Sequence, residues 1–112
     1  EPMRAKKAKT HVIKIHIAGD LQRTRTFLQG YVMRGACVSV APEEYIYTMG
    51  AETGAVITLL NYPRSPKKPC DLLAQALRLA EELIEVLHQG SCTVVDYSGD
   101  SHFLSRRGDV DA

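Results

Sequence analysis

Isoleucines at positions 13, 15 and 17 alternate with Lys14 and His16, a period of two that predicts a half-buried strand over residues 12–17. Gly19-Asp20 breaks the alternation, and Asp20 suits the N-cap of a helix. Leu21, Thr24, Leu28, Tyr31 and Val32 then recur at helical spacing, with Arg23, Arg25 and Gln29 between them, and Gly35 suits the stop. The centre reads as strands over 36–40, 45–49 and 55–61. Ala41-Pro42 separates the first two, and the Gly-bounded stretch 50–54 supplies the turn before the third. That third run is uniformly apolar, as suits the middle of a sheet. Pro63, Pro66 and Pro69 stiffen a short crossover into a second helix over about 71–88. Its apolar stripe is Leu73, Ala76, Leu77, Ala80, Leu83, Ile84 and Leu87, with Glu81, Glu82 and Glu85 outward. Asp71 complements the helix's positive end, and Gly90 suits its stop. Strands over 91–97 and 102–105 flank a Ser98-Gly99-Asp100 hairpin turn.

The order is therefore β-α-β-β-β-α-β-β. It predicts an α+β fold, a mostly antiparallel sheet with two helices packed on one face. With 112 residues the chain is the size of one domain, expected over residues 10–107, with a basic tail (1–9) before it and a frayed end (108–112) after it. No apolar run approaches the roughly 20 residues that cross a bilayer, and the charged start does not read as a secretory signal. A soluble cytoplasmic protein is the expectation.

The formal charge of +1 hides an asymmetry: Arg4, Lys6, Lys7 and Lys9 crowd the start, leaving ten basic against twelve acidic residues from Thr10 onward. Such a body is a poor general binder of DNA, because non-specific affinity needs many neutralised phosphates. Cys37, Cys70 and Cys92 show no metal-ligand or disulfide spacing; Cys37 and Cys92 fall in expected strands and read as buried hydrophobes. His11, His16, His88 and His102 sit on different elements and read as surface residues. The adjacent pairs Glu43-Glu44 and Glu81-Glu82 point their carboxylates apart. No nucleophile elbow, phosphate loop, dinucleotide fingerprint or zinc-hydrolase motif occurs. The expectation is a ligand-binding protein, not an enzyme, with no cofactor, no metal and no catalytic residue.

One segment differs in kind. Residues 45–64 hold three of the five tyrosines (Tyr45, Tyr47, Tyr62), a Gly-bounded stretch, Asn61 and Arg64. A tyrosine face can stack on a base, an amide can pair with a base edge, and a guanidinium can grip phosphate. Arg106-Arg107 adds cations at a strand end, and Arg34 lies near the end of the first helix. These types suit a nucleotide-like ligand, although tyrosine in strands is also ordinary sheet packing.

The stretch from Gly35 to Arg64, centred on Tyr45-Ile46-Tyr47-Thr48 and Asn61-Tyr62-Pro63-Arg64, resembles the phage Thoeris anti-defence sponge proteins, as do His88–Ser91 and Ser105–Arg107. The resemblance implies sequestration of a cyclic ADP-ribose isomer made as an immune signal, with cyclic oligonucleotides as a further ligand class. It also implies a homo-oligomer, a dimer or dimer-based hexamer, with sites between subunits. On it, Asn61 and Arg64 would fix base and phosphate, Tyr45 or Tyr47 would stack, and Arg106 with Arg107 would neutralise pyrophosphate. Tyr62 and Arg34 complete the candidate set. A small oligomeric regulatory domain that binds a partner protein, with no nucleotide ligand, is the alternative.

Overall fold

The computed structural model describes residues 2–106. The elements run β1 (Val12–Ala18), α1 (Leu21–Tyr31), a 3-10 turn (Val32–Arg34), β2 (Ser39–Tyr47), β3 (Gly50–Leu60), α2 (Pro69–Val86), β4 (Ser91–Asp96) and β5 (Ser101–Ser105). The strands form one sheet of order β2-β3-β1-β4-β5, and every neighbouring pair is antiparallel. The expected α+β class and the two helices over one sheet are present.

The isoleucine alternation sets the layering. Ile13, Ile15 and Ile17 are fully or almost fully buried and pair with Leu59, Ile57 and Ala55 of β3 on the helix side. Leu28 and Tyr31 of α1, and Leu72, Ala76, Leu79, Leu83 and Ile84 of α2, close over them. Asp20 caps α1 by accepting from the Arg23 amide at 2.7 Å, and Gly35 takes the left-handed stop at φ 90°. Side chains alternate across a strand, so Lys14, His16, Val56, Thr58, Thr93 and Val95 share the other face. No described element covers that face, and Phe103 and Tyr97 stand on it more than half exposed.

Three local expectations are corrected. The segments read as strands over 36–40 and 45–49 form a single strand, β2, which runs through Pro42. β2 is an edge strand, where a missing N–H can face solvent without breaking a ladder. The turn between β2 and β3 is Thr48-Met49, with Met49 at φ 68°, and not the stretch 50–54. Gly54 lies inside β3 because nothing larger fits: a Cβ there would strike the Ile17 carbonyl and approach the Tyr45 ring at 2.8 Å. Cys37 precedes β2 and is exposed, as is Cys70; Cys92 alone is buried.

Candidate functional site

On the uncovered face, beside the end of β1, a pocket of about 390 Å³ opens between the β2–β3 hairpin and the turn joining α2 to β4. His16, Tyr45, Glu52, Gln89 and Thr93 supply its polar lining. The register explains the meeting. Tyr45 pairs with Glu52 across the hairpin, and His16 pairs with Thr93 on the far side of β1, so all four side chains emerge on the same face. Gly54 leaves the gap that lets the Tyr45 ring lie across the sheet toward His16, edge-on at 6.3 Å between ring centroids.

The Tyr45 hydroxyl donates to the Ala55 carbonyl at 2.7 Å, which fixes the ring as a wall of the pocket. Burial, and then the nearby Glu43 carboxylate, push its pKa up to about 12, so it stays a neutral phenol. Glu52 is exposed and makes no hydrogen bond or ion pair among the described residues. Gln89 donates to the Leu87 carbonyl at 3.3 Å, leaving its amide oxygen free to accept. Imidazole, carboxylate, amide and hydroxyl thus converge beside a fixed aromatic ring. Glu52 is the charged residue in the lining.

Of the eight residues singled out in the sequence, Tyr45 lines this pocket. Arg106 supports it from behind: Nε donates to the Gln89 carbonyl at 2.6 Å, Nη2 to the Ile84 carbonyl at 3.1 Å, and its backbone N–H to the Gly90 carbonyl at 2.8 Å. Tyr47 is half exposed near the hairpin tip, its ring packed on Gly50. Asn61 lies at the opposite end of the sheet, about 20 Å away for a seven-residue strand. There its amide joins Lys9 to Lys67, donating to the Lys9 carbonyl (2.8 Å) and accepting from the Lys67 amide (2.7 Å). Tyr62 sits beside Cys37, and that thiol, then partial burial, hold its hydroxyl above its ordinary pKa. Arg64 is exposed, and Arg34 forms a two-pronged pair with Glu82, both contacts 3.0 Å. Arg107 falls outside the described residues.

No known sequence family matches the chain, and no curated protein does. One solved structure matches in fold. The chain is similar to a phage SAM lyase in complex with S-methyl-5'-thioadenosine. The TM-score is 0.67 over 95% of this chain and 97% of that one, at 14% sequence identity, so the likeness shows the fold.

The likeness corrects one expectation. The chain was expected not to be an enzyme, on the absence of familiar catalytic motifs, yet a lyase is built on this fold. Short motifs report chemistry held within one segment. This pocket draws on four separate strands and a turn, which no linear pattern records. His16, Glu52 and Gln89 were missed for that reason; the one available signal was phase, since His16 falls on the alternate face of β1 and Tyr45 on the matching face of β2.

Proposed function

We propose that this chain is a phage counter-defence protein that binds a small adenine-nucleoside molecule in the His16–Tyr45–Glu52 pocket, and that the molecule is of the S-adenosyl sulfonium class. The observation that carries this is the pocket itself: a fixed aromatic wall beside an unpaired carboxylate, on a fold shared with a lyase solved with S-methyl-5'-thioadenosine. The Tyr45 ring supplies an apolar face for the base. The Gln89 oxygen can accept from an exocyclic amine. Glu52 accepts from the ribose diol, and its unpaired carboxylate favours a sulfonium cation over a phosphate. Breaking the Cγ–S bond of S-adenosylmethionine, with the electron pair passing to sulfur and the amino-acid chain closing on its own carboxylate oxygen as a lactone, would leave S-methyl-5'-thioadenosine, so lyase chemistry is part of the proposal.

A second reading keeps the adenosine half and adds a pyrophosphate: sequestration of a cyclic ADP-ribose isomer, as the resemblance around Tyr45 and Asn61–Arg64 implies. The exposed Arg64 favours it, because its guanidinium makes no hydrogen bond or ion pair among the described residues. On this reading Arg64 would have to come from a second copy, since it lies a strand length from the pocket. Assembly fits both readings. A pocket open on one side gains its missing wall when the uncovered sheet face meets another protomer, and ligand sites bury most of their ligand.

The test is to incubate the protein separately with S-adenosylmethionine and with cyclic ADP-ribose isomers, denature it, and chromatograph what is released. Conversion to S-methyl-5'-thioadenosine that disappears in Glu52→Gln supports the first reading. Retention of the cyclic nucleotide supports the second. Neither conversion nor retention, with the protein folded, refutes both. Light scattering on a sizing column tests assembly, and a monomer with and without ligand would remove the second subunit from the proposal.

A further inference from the structure

β5 closes one side of the sheet, and its outer edge is unpaired among the described residues. The Arg106 amide donates to the Gly90 carbonyl and the Asp96 amide to the Asp100 carbonyl, so His102 and Leu104 turn their N–H and C=O groups to β4. Those of Ser101, Phe103 and Ser105 therefore face outward. Natural sheet edges are blunted by proline and charge, as β2 is by Pro42, Glu43 and Glu44. β5 carries no proline and no Asp, Glu, Lys or Arg. Between this edge and α2 runs a groove of about 500 Å³, lined by Glu81, Ile84, Glu85, Phe103, Leu104 and Ser105. Glu81 is exposed and makes no ion pair among the described residues, while Glu85 gives one oxygen to Arg106 at 3.3 Å. Leu104 pairs with the buried Cys92 on the helix side, and Phe103, 57% exposed, stands on the open face.

The N-terminal segment has the complementary make-up. Residues 2–7 are exposed and make no hydrogen bond among the described residues, and no acidic residue lies between Pro2 and Gly19. As a strand the segment alternates, with Arg4 and Lys6 on one face and Met3 and Ala5 on the other. Alternate residues of a strand stand about 7 Å apart, and Glu81 and Glu85, one helical turn apart, stand about 6 Å apart. The chain's own groove is out of reach of its own segment. Asn61 holds the Lys9 carbonyl at the start of β1, seven positions before His16, which the register sets level with Thr93 and Phe103. That is about 23 Å along the strands and, over three strand spacings, about 14 Å across. The chain from Lys9 to Met3 spans at most about 22 Å.

We propose that residues 2–7 of a second copy add to the outer edge of β5 as a further strand, two copies exchanging these segments about a two-fold axis. Arg4 and Lys6 then face Glu81 and Glu85, Met3 and Ala5 cover Phe103, and the outward amides of Ser101, Phe103 and Ser105 gain acceptors. The contact is independent of the nucleoside pocket. The test uses two full-length variants altered only at exposed positions: one carries Arg4→Glu with Lys6→Glu, the other Glu81→Lys. Sedimentation velocity at micromolar concentrations should show wild type associating and each variant associating about tenfold more weakly. An equal mixture of the two variants should regain the lost association, because each acidic segment then meets the reversed groove and each basic segment the original one. Hydrogen exchange of the Phe103 and Ser105 amides should slow on association. A monomeric wild type would leave the groove to solvent or to a foreign basic segment, and would overturn the proposal. So would variants that associate like wild type, the result expected if copies meet through the open sheet face alone. A mixture no tighter than its components, or amide exchange that does not slow, would overturn it as well.

Discussion

Arg106→Ala tests whether this residue is a clamp or a free cation. The substitution removes a charge-assisted bond to the Gln89 carbonyl and another to the Ile84 carbonyl, at 2.6 and 3.1 Å. Ile84 keeps a second donor, the Gln89 amide at 3.0 Å, so its loss is partial. The pair with Glu85 is a surface contact, with the carboxylate side chain 72% exposed, and is counted as nothing. A bond to a charged group is worth about 1.5–3 kcal/mol, taken at the low end because the guanidinium is part-exposed. A cation at the end of α2 adds about 0.3–1 kcal/mol. The expected loss is about 2 kcal/mol, a fall in Tm on the order of 10 °C for a domain of this size. Urea denaturation followed by helical circular dichroism measures it, and Arg106→Lys should fall between, keeping the charge but not the fork. Stability of Arg106→Ala within about 0.5 kcal/mol of wild type, the range of neutral surface changes, would refute the clamp. Because Gln89 and Gly90 line the pocket, ligand affinity should fall with stability, and not independently of it.

Gly54→Ala should cost about 2–3 kcal/mol, since its methyl strikes backbone that cannot move without parting β1 from β3; an unchanged urea midpoint would contradict the close approach. Cys37 and Cys70 should label rapidly in the native protein, whereas Cys92, with burial pushing its pKa up to about 11, should label only on unfolding; native labelling of all three refutes this. Tyr45 should titrate near pH 12 by ultraviolet absorbance. Because the unfolded chain gives up that proton first, stability should fall as pH rises from about 10 to 12, and Tyr45→Phe should flatten the decline.

The architecture was legible because it rests on local pattern. The isoleucine alternation fixed the helix side of β1, and the stripe through Leu83 and Leu87 fixed the buried side of α2. The break read at Pro42 was misplaced because an edge strand tolerates what a central one does not, and strand order is not visible along the chain. The candidate site was legible only at Tyr45. In the sequence Asn61 offers an amide, yet that amide is satisfied by the backbone of Lys9 and Lys67. Arg34 offers a charge, which Glu82, 48 positions away, already meets. Free and engaged polar groups look alike in a sequence, and only long-range pairing distinguishes them. Glu52 passed unnoticed because it enters the pocket through cross-strand register with Tyr45, which a turn placed at 50–54 would have shifted.

The most direct test of the central claim is calorimetric titration of S-methyl-5'-thioadenosine into wild type, Glu52→Gln and Arg64→Ala. If the molecule sits in the His16–Tyr45–Glu52 pocket, its ribose hydroxyls donate to the Glu52 carboxylate, a contact worth about 1.5–3 kcal/mol. Glu52→Gln should then bind about tenfold to a hundredfold more weakly at unchanged stability, while Arg64→Ala, at the other end of the sheet, binds like wild type. Equal affinity in wild type and Glu52→Gln, or loss in Arg64→Ala alone, would contradict the placement.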